Sequence, residues 1–254
     1  MRLTCVIGTA LIMSAAGSAS AAIYQWNWNR GDPGNYGLND NGGRFESVAA
    51  TFDTNTKRMN WSVTFSDAVT VGMYLAVNNG PNPKGHPGEL ALIYVDARDP
   101  GDVVLTAYGY NGQNSINSFN DGNGNVSGNQ APDVIKNVGE RSSWVMNATR
   151  SDNAGKRTIS FDIDATDINA HTPLYPDPNG DPWFGIGFMQ KLGLWMHTFR
   201  QFDVSYGPAG EITNINRNGE GWFDGANFNT TLIPTPGAVV LAGLALIGTS
   251  RRRR

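Results

Sequence analysis

Met59-Asn60-Trp61-Ser62-Val63-Thr64-Phe65-Ser66 decides the fold class. Met59, Trp61, Val63 and Phe65 alternate with Asn60, Ser62, Thr64 and Ser66. Successive side chains of an extended chain point to opposite faces, so this segment reads as a strand with one apolar and one polar face. Working outward, Phe45 to Phe52 is a second strand, and Asp53-Thr54-Asn55-Thr56-Lys57 is a turn-rich loop that joins the two as a hairpin. Val71, Met73, Leu75 and Val77 alternate again. Leu90 to Val95 is apolar throughout, as a central strand covered on both faces would be, and Val103 to Tyr110 is another strand.

The second half repeats the pattern. Trp144 to Thr149 and the alternating Ile159, Phe161 and Ile163 are strands, with Asn153-Ala154-Gly155-Lys156 as the hairpin between them. Trp183 to Met189 and Leu194 to Val204 follow, with Lys191-Leu192-Gly193 as their turn. Glu211 to Asn216 and Glu220 to Asp224 are shorter candidates. Asp164 to Asn169 forms at most one helical turn, N-capped by Asp164. About ten short strands separated by Gly, Asn and Pro turns predict an all-β fold, a two-sheet antiparallel sandwich of jelly-roll-like form. A closed barrel is the alternative. The strands run without a linker, so residues 22–232 form one domain. Only Gly109 to Arg141, rich in Asn, Gly and Ser, reads as a long loop.

Composition agrees. In 254 residues there are 31 Gly and seven Trp, with 16% charged and 40% hydrophobic residues, which excludes a coiled coil and wholesale disorder. The formal net charge is −3, but five of the 19 basic residues, Arg2 and Arg251 to Arg254, lie at the two ends. Without them 14 basic residues face 22 acidic ones, a net of −8. Such a body repels phosphate backbones, so nucleic acid is not an expected partner. Cys5 is the only cysteine and lies in the N-terminal segment, which leaves the domain without a disulfide, a thiolate metal site or a cysteine nucleophile.

Both ends read as sorting signals. Arg2, the apolar stretch Val6 to Met13 and the small residues up to Ala19-Ser20-Ala21 predict a signal peptide, residues 1–21, cleaved after Ala21. Residues 233–254 contain Pro234-Thr235-Pro236-Gly237, an apolar run from Ala238 to Gly248, and Arg251-Arg252-Arg253-Arg254. Prolines keep the chain extended and accessible, a short apolar helix partitions into lipid, and arginines hold the end on the cytoplasmic side. In this order the elements resemble the PEP-CTERM sorting signal. Thr235 stands where the family name implies Glu, and similar tails with Thr there fit the family. The resemblance covers Pro234 to Arg254 alone. It implies that an exosortase-type processing enzyme recognises and removes the tail after transient inner-membrane contact, and delivers the protein to the bacterial surface, outer envelope or exopolysaccharide. The alternative is a plain C-terminal membrane anchor. The apolar run falls short of the ~20 residues that span comfortably, which favours the sorting signal.

Within the domain no catalytic constellation is legible. Asp162 and Asp164 share a strand face, but so do Thr158 and Ser160, as on a solvated outer face. His86, His171 and His197 are far apart and form no zinc motif. Asp121, Asn123 and Asn125 place side-chain oxygens at alternate positions, as calcium loops do, although Val126 and Pro132 stand where an EF-hand needs Gly and Glu. Asp177-Pro178-Asn179-Gly180-Asp181 is a weaker version and reads as a turn. No Gly-x-Ser-x-Gly elbow or phosphate-binding loop occurs. Trp61, Trp144 and Trp183 belong in the core. Trp26, Trp28, Trp195 and Trp222 are candidates for stacking on sugar rings, whose axial C–H groups meet an aromatic face as an apolar patch. The expectation is an exported structural or adhesive β-sandwich, not an enzyme and without a cofactor other than calcium at Asp121, that touches extracellular polysaccharide. A secreted polysaccharide hydrolase or lyase is the rival. It requires two of Asp162, Asp164, Asp96 and Glu89 to face each other across a cleft. A bare scaffold with few exposed aromatics is the third possibility.

Overall fold

A computed structural model describes residues 22–111, 118–120, 131–177 and 179–233. Residues 1–21, the calcium-loop candidates Asp121, Asn123 and Asn125, and the tail residues Pro234, Thr235, Pro236, Gly237 and Arg251 to Arg254 lie outside the described residues. No helix of the described residues is long and apolar enough to cross a membrane.

The alternating segments do form strands. Numbered in chain order, one sheet contains β1 (Ile23–Asn29), β3 (Phe45–Asp53), β4 (Arg58–Phe65), β9 (Val145–Asn153), β10 (Lys156–Asp164) and β13 (Thr231–Ile233). The other contains β2 (Tyr36–Asn39), β5 (Gly72–Asn78), β6 (Ala91–Asp96), β7 (Val104–Gly109), β8 (Val134–Lys136), β11 (Lys191–Tyr206) and β12 (Ile212–Asn229). Their orders are β13-β1-β3-β4-β10-β9 and β2-β12-β11-β5-β6-β7-β8, and every strand pair is antiparallel. The chain crosses from β4 to β5 and later from β10 to β11. Because β10 lies beside β4 and β11 beside β5, the second crossing, in the same direction, follows the first.

Burial follows the alternation. Met59, Trp61, Val63 and Phe65 point between the sheets, where they meet Val48, Phe161, Leu75, Ile93 and Met196 in one apolar cluster. Full burial of each large side chain contributes roughly 1.5–3 kcal/mol. The seven-stranded sheet has a second core on its other face. Tyr74, Leu92, Tyr94, Tyr108, Phe119, Trp195, Phe199 and Phe202 form that cluster. All seven residues of β5 and all six of β6 are buried, as expected for Leu90 to Val95. Gly72 is required here, since a Cβ on it would lie 2.2 Å from the Phe202 ring.

Four sequence expectations are corrected. Trp183 to Met189 is not a strand; it meets the sheets through an isolated bridge between Leu90 and Gly185, a hydrogen bond from Gly187 N–H to Val77 O, and the buried Ile186 and Phe188. Lys191-Leu192-Gly193 is not a turn but the start of β11. Gly193 is small because Pro81 O lies 1.7 Å from where its Cβ would stand, a close approach that no side chain permits. Glu211–Asn216, from Ile212 on, and Glu220–Asp224 are parts of one strand, β12, of 18 residues. The short helix Thr166–Ala170 has Ala165 at its N-cap, although Asp164 Oδ1 does accept the Thr166 N–H at 2.9 Å.

The outer face of the six-stranded sheet is polar and in register. One cross-strand row reads Gln25, Thr51, Asn60, Asp162, Asn147. The next reads Asn27, Ala49, Ser62, Ser160, Thr149, and a third reads Asn29, Ser47, Thr64, Thr158, Ser151.

The β9–β10 hairpin closes through Ala154 and Gly155, with φ of 51° and 79°. Two left-handed residues in a two-residue loop define a type I′ turn, which favours Asn-Gly and penalises Ala at the first position. Ala154→Asn is expected to raise stability by about 0.5–1 kcal/mol in a denaturant titration. No gain would mean that the turn does not adopt this form.

Candidate functional site

Trp222 is the single member of the predicted stacking set whose ring reaches solvent, at 37% exposure. Trp26 and Trp28 are 5% and 3% exposed and lie between the sheets, Trp26 against Phe228 at 5.1 Å and Trp28 against Phe223 at 4.8 Å. Trp195, 1% exposed, is sealed in the second core against Tyr110 and Tyr74. A covered ring offers no face to a sugar, so these three are core residues, as are Trp61 and Trp144. Trp183 is half-buried, and its Nε1–H donates to Ile168 O at 2.9 Å.

The surroundings of Trp222 follow from the strand period. Gly221 and Phe223 face inward and are buried, which turns Glu220, Trp222 and Asp224 outward on β12. Across the sheet Trp222 is in register with Asn39 on one side and His197 on the other, and His197 with Tyr74. The row runs from an exposed ring to a buried one. His197 stacks on Tyr74 at 4.8 Å with an interplanar angle of 19°, and Trp222 lies tilted at 6.2 Å from it.

Hydrogen bonds fix the imidazole. Trp195 Nε1–H donates to His197 Nε2 at 3.0 Å. Nε2 must therefore accept, the proton sits on Nδ1, and Nδ1–H donates to the Glu220 carboxylate. That bond holds the Glu220 carboxyl below its ordinary value, against the opposing effect of burial. Asp224 Oδ1 accepts the Gly37 N–H at 3.0 Å, which ties the edge strand β2 to the same site. The result is a rigid aromatic platform with a carboxylate on either side.

The carboxylates do not form a glycosidase pair. Glu220 and Asp224 are four residues apart on a strand, roughly 13 Å, beyond the ~5–9.5 Å that such pairs span. The residues the rival reading required are each engaged elsewhere. Asp162 takes a two-point hydrogen bond from Arg58, and Arg98 holds Asp96 at 2.6 and 2.9 Å. Asp164 Oδ1 accepts the Thr166 N–H beside the short helix. Glu89 Oε1 lies 3.0 Å from His86 Nδ1. Glu89, Asp177 and Asp181 also bring one oxygen each within 4.8 Å, the donor chemistry that a hard cation uses. The predicted turn accounts for two of these three, since Asp177 Oδ2 accepts the Asn179 and Asp181 N–H groups at 2.6 and 3.3 Å.

The sequence offered Trp222 but not its partners. In the sequence His197 is one of three histidines far apart, and Glu220 merely opens a short strand. The usable signal was the period of two in Glu220, Trp222 and Asp224.

No family model matches the chain, and no curated protein matches it. Among solved structures, a chain described as "pH-induced modulation of Streptococcus parasanguinis adhesion by Fap1 fimbriae" is similar at 14% identity over 84% of this chain and 92% of that one, with a TM-score of 0.23. A score this low carries no argument about function.

Glu220→Gln tests the network. A carboxylate whose folded pKa is lowered stabilises the fold above its ordinary value of 4.5 and loses that contribution as pH falls through the folded value. The variant is expected to be less stable than the parent at pH 7, with the gap closing on acidification. A gap that is constant with pH, followed by urea unfolding, would exclude this role.

Proposed function

We propose that this is an exported structural or adhesive β-sandwich protein of the bacterial surface or exopolysaccharide matrix, sorted through its C-terminal tail, with Trp222 as its contact to polysaccharide. The tail motif Pro234 to Arg254 carries the sorting reading. The register of β1 and β13 supports it. Ile23 pairs with Ile233, so the residue two past the expected signal-peptide cleavage stands beside the residue just before Pro234. Both processing events would then act at one corner of the sandwich, and neither would remove a strand.

Trp222 carries the polysaccharide reading. It is the one large aromatic ring among the described residues that is exposed, braced from behind and bordered by polar groups. An apolar ring face with carboxylates beside it suits a pyranose, whose C–H face stacks while its hydroxyls bond at the edge.

Mass spectrometry of protein recovered from the cell surface is expected to find Ala22 at the N-terminus and no peptide containing Arg251 to Arg254. Intact C-terminal arginines in surface protein would rule out processing. Trp222→Ala is expected to weaken retention on a polysaccharide column about threefold to tenfold, the value of one aromatic contact. Its unfolding free energy should fall by about 1 kcal/mol, the packing of a partly covered ring beside His197, with the fold retained. Retention equal to that of the parent would remove Trp222 from the contact.

A further inference from the structure

The outer face of the six-stranded sheet differs from an ordinary solvated face. Across its three rows Asp162 is the single charged residue, and Arg58 neutralises it. The charges lie at the ends of the strands, where Lys156 pairs with Glu46 and Arg58 with Asp162. Between those ends lies a field of amides and hydroxyls that hollows into a depression of about 350 Å³ over β1, β3, β4, β9 and β10.

Part of this field is used internally. Thr64 and Thr158 share a hydrogen bond of 2.9 Å, and Thr149 and Ser160 one of 3.2 Å. The side-chain amides of Gln25, Asn27, Asn60 and Asn147 have no hydrogen-bond partner among the described residues, and all four line the depression. Each amide brings a donor pair and an acceptor side by side, which matches a vicinal diol. Five strands span roughly 19 Å at the usual strand spacing, enough for several sugar units laid across them. A second copy of this chain is a poor occupant, because sheets pack face to face through apolar side chains.

We infer that this face is a second carbohydrate-binding surface, distinct from Trp222, and that it takes an extended uncharged polysaccharide. The inference rests on the reading of the protein as polysaccharide-associated and narrows it to a substrate class. Charge complementarity selects the class. The field offers no free cation to a uronate, sulfate or phosphate group, and it sits on a body of net charge −8 that repels polyanions. Neutral hydroxyls meet uncommitted amides without such a penalty. With Trp222 on the opposite outer side, the protein has two binding faces, and one molecule can join two polymer chains.

The test uses the full chain and immobilised neutral glucan, galactomannan and alginate, with three variants. Asn27→Ala, Asn60→Ala and Asn147→Ala are combined in one protein, since truncating unbonded amides leaves the fold intact. Trp222→Ala is the second variant, and the two sets together make the third. Expected are retention of the parent on a neutral polymer, none on alginate, and a loss of about tenfold or more in the triple-amide variant at an unchanged unfolding midpoint. The combined variant should lose more than either alone. Unchanged neutral-polymer binding in the triple-amide variant, with loss in Trp222→Ala, overturns this inference and leaves the polysaccharide reading standing. Retention on alginate alone overturns the neutral class. Binding to none of the polymers overturns both.

Discussion

The architecture depends on β11 serving two cores at once. Leu194 and Met196 fill the space between the sheets, while Trp195, one residue from each, closes the opposite face of the same sheet. A one-residue slip in register would exchange the two sets. The single histidine on this stretch is accommodated by using both its ring nitrogens, toward Trp195 and Glu220. An uncompensated imidazole there would carry the cost of a buried polar group. The same bonds brace Trp222, so the exposed platform is a by-product of satisfying the edge of a core.

Much of the fold was legible because local periodicity and tertiary burial agree in β3, β4, β5, β6 and β10. It failed where glycine was ambiguous. Gly193 looks like a turn residue, yet it serves the close passage of Pro81 beside a strand. The polar, glycine-interrupted run from Ile212 to Asn229 hides a strand whose coherence comes from its long pairing with β11. Trp195 could not be placed from sequence, because its cover comes from Tyr110 and other residues remote along the chain. Trp26 and Trp28 are two residues apart and so share a strand face, but a period of two does not say which face is inside. Trp222 was legible as an aromatic on a short strand, whereas its partner His197 was not, because pairing register decides that neighbourhood.

The two outer surfaces are polar in different ways. Around Trp222 the groups are committed, with His197, Glu220 and Asp224 each held in place before any ligand arrives. Such a site loses little freedom on binding. On the six-stranded sheet the strands are rigid but several amides are uncommitted, so orientation is supplied by the backbone and adaptability by the side chains.

The pairing of Ile23 with Ile233 has a mechanical meaning. Tension applied after Ile233 meets the three paired positions of β1 and β13, loaded one after another from the same end rather than together. That geometry opens like a zip and yields at low force. Behind it, β1 remains paired along all seven of its residues with β3. A pull on the chain after Ile233 therefore peels β13 from the edge before it reaches β1, whose other side is held by seven pairs with β3.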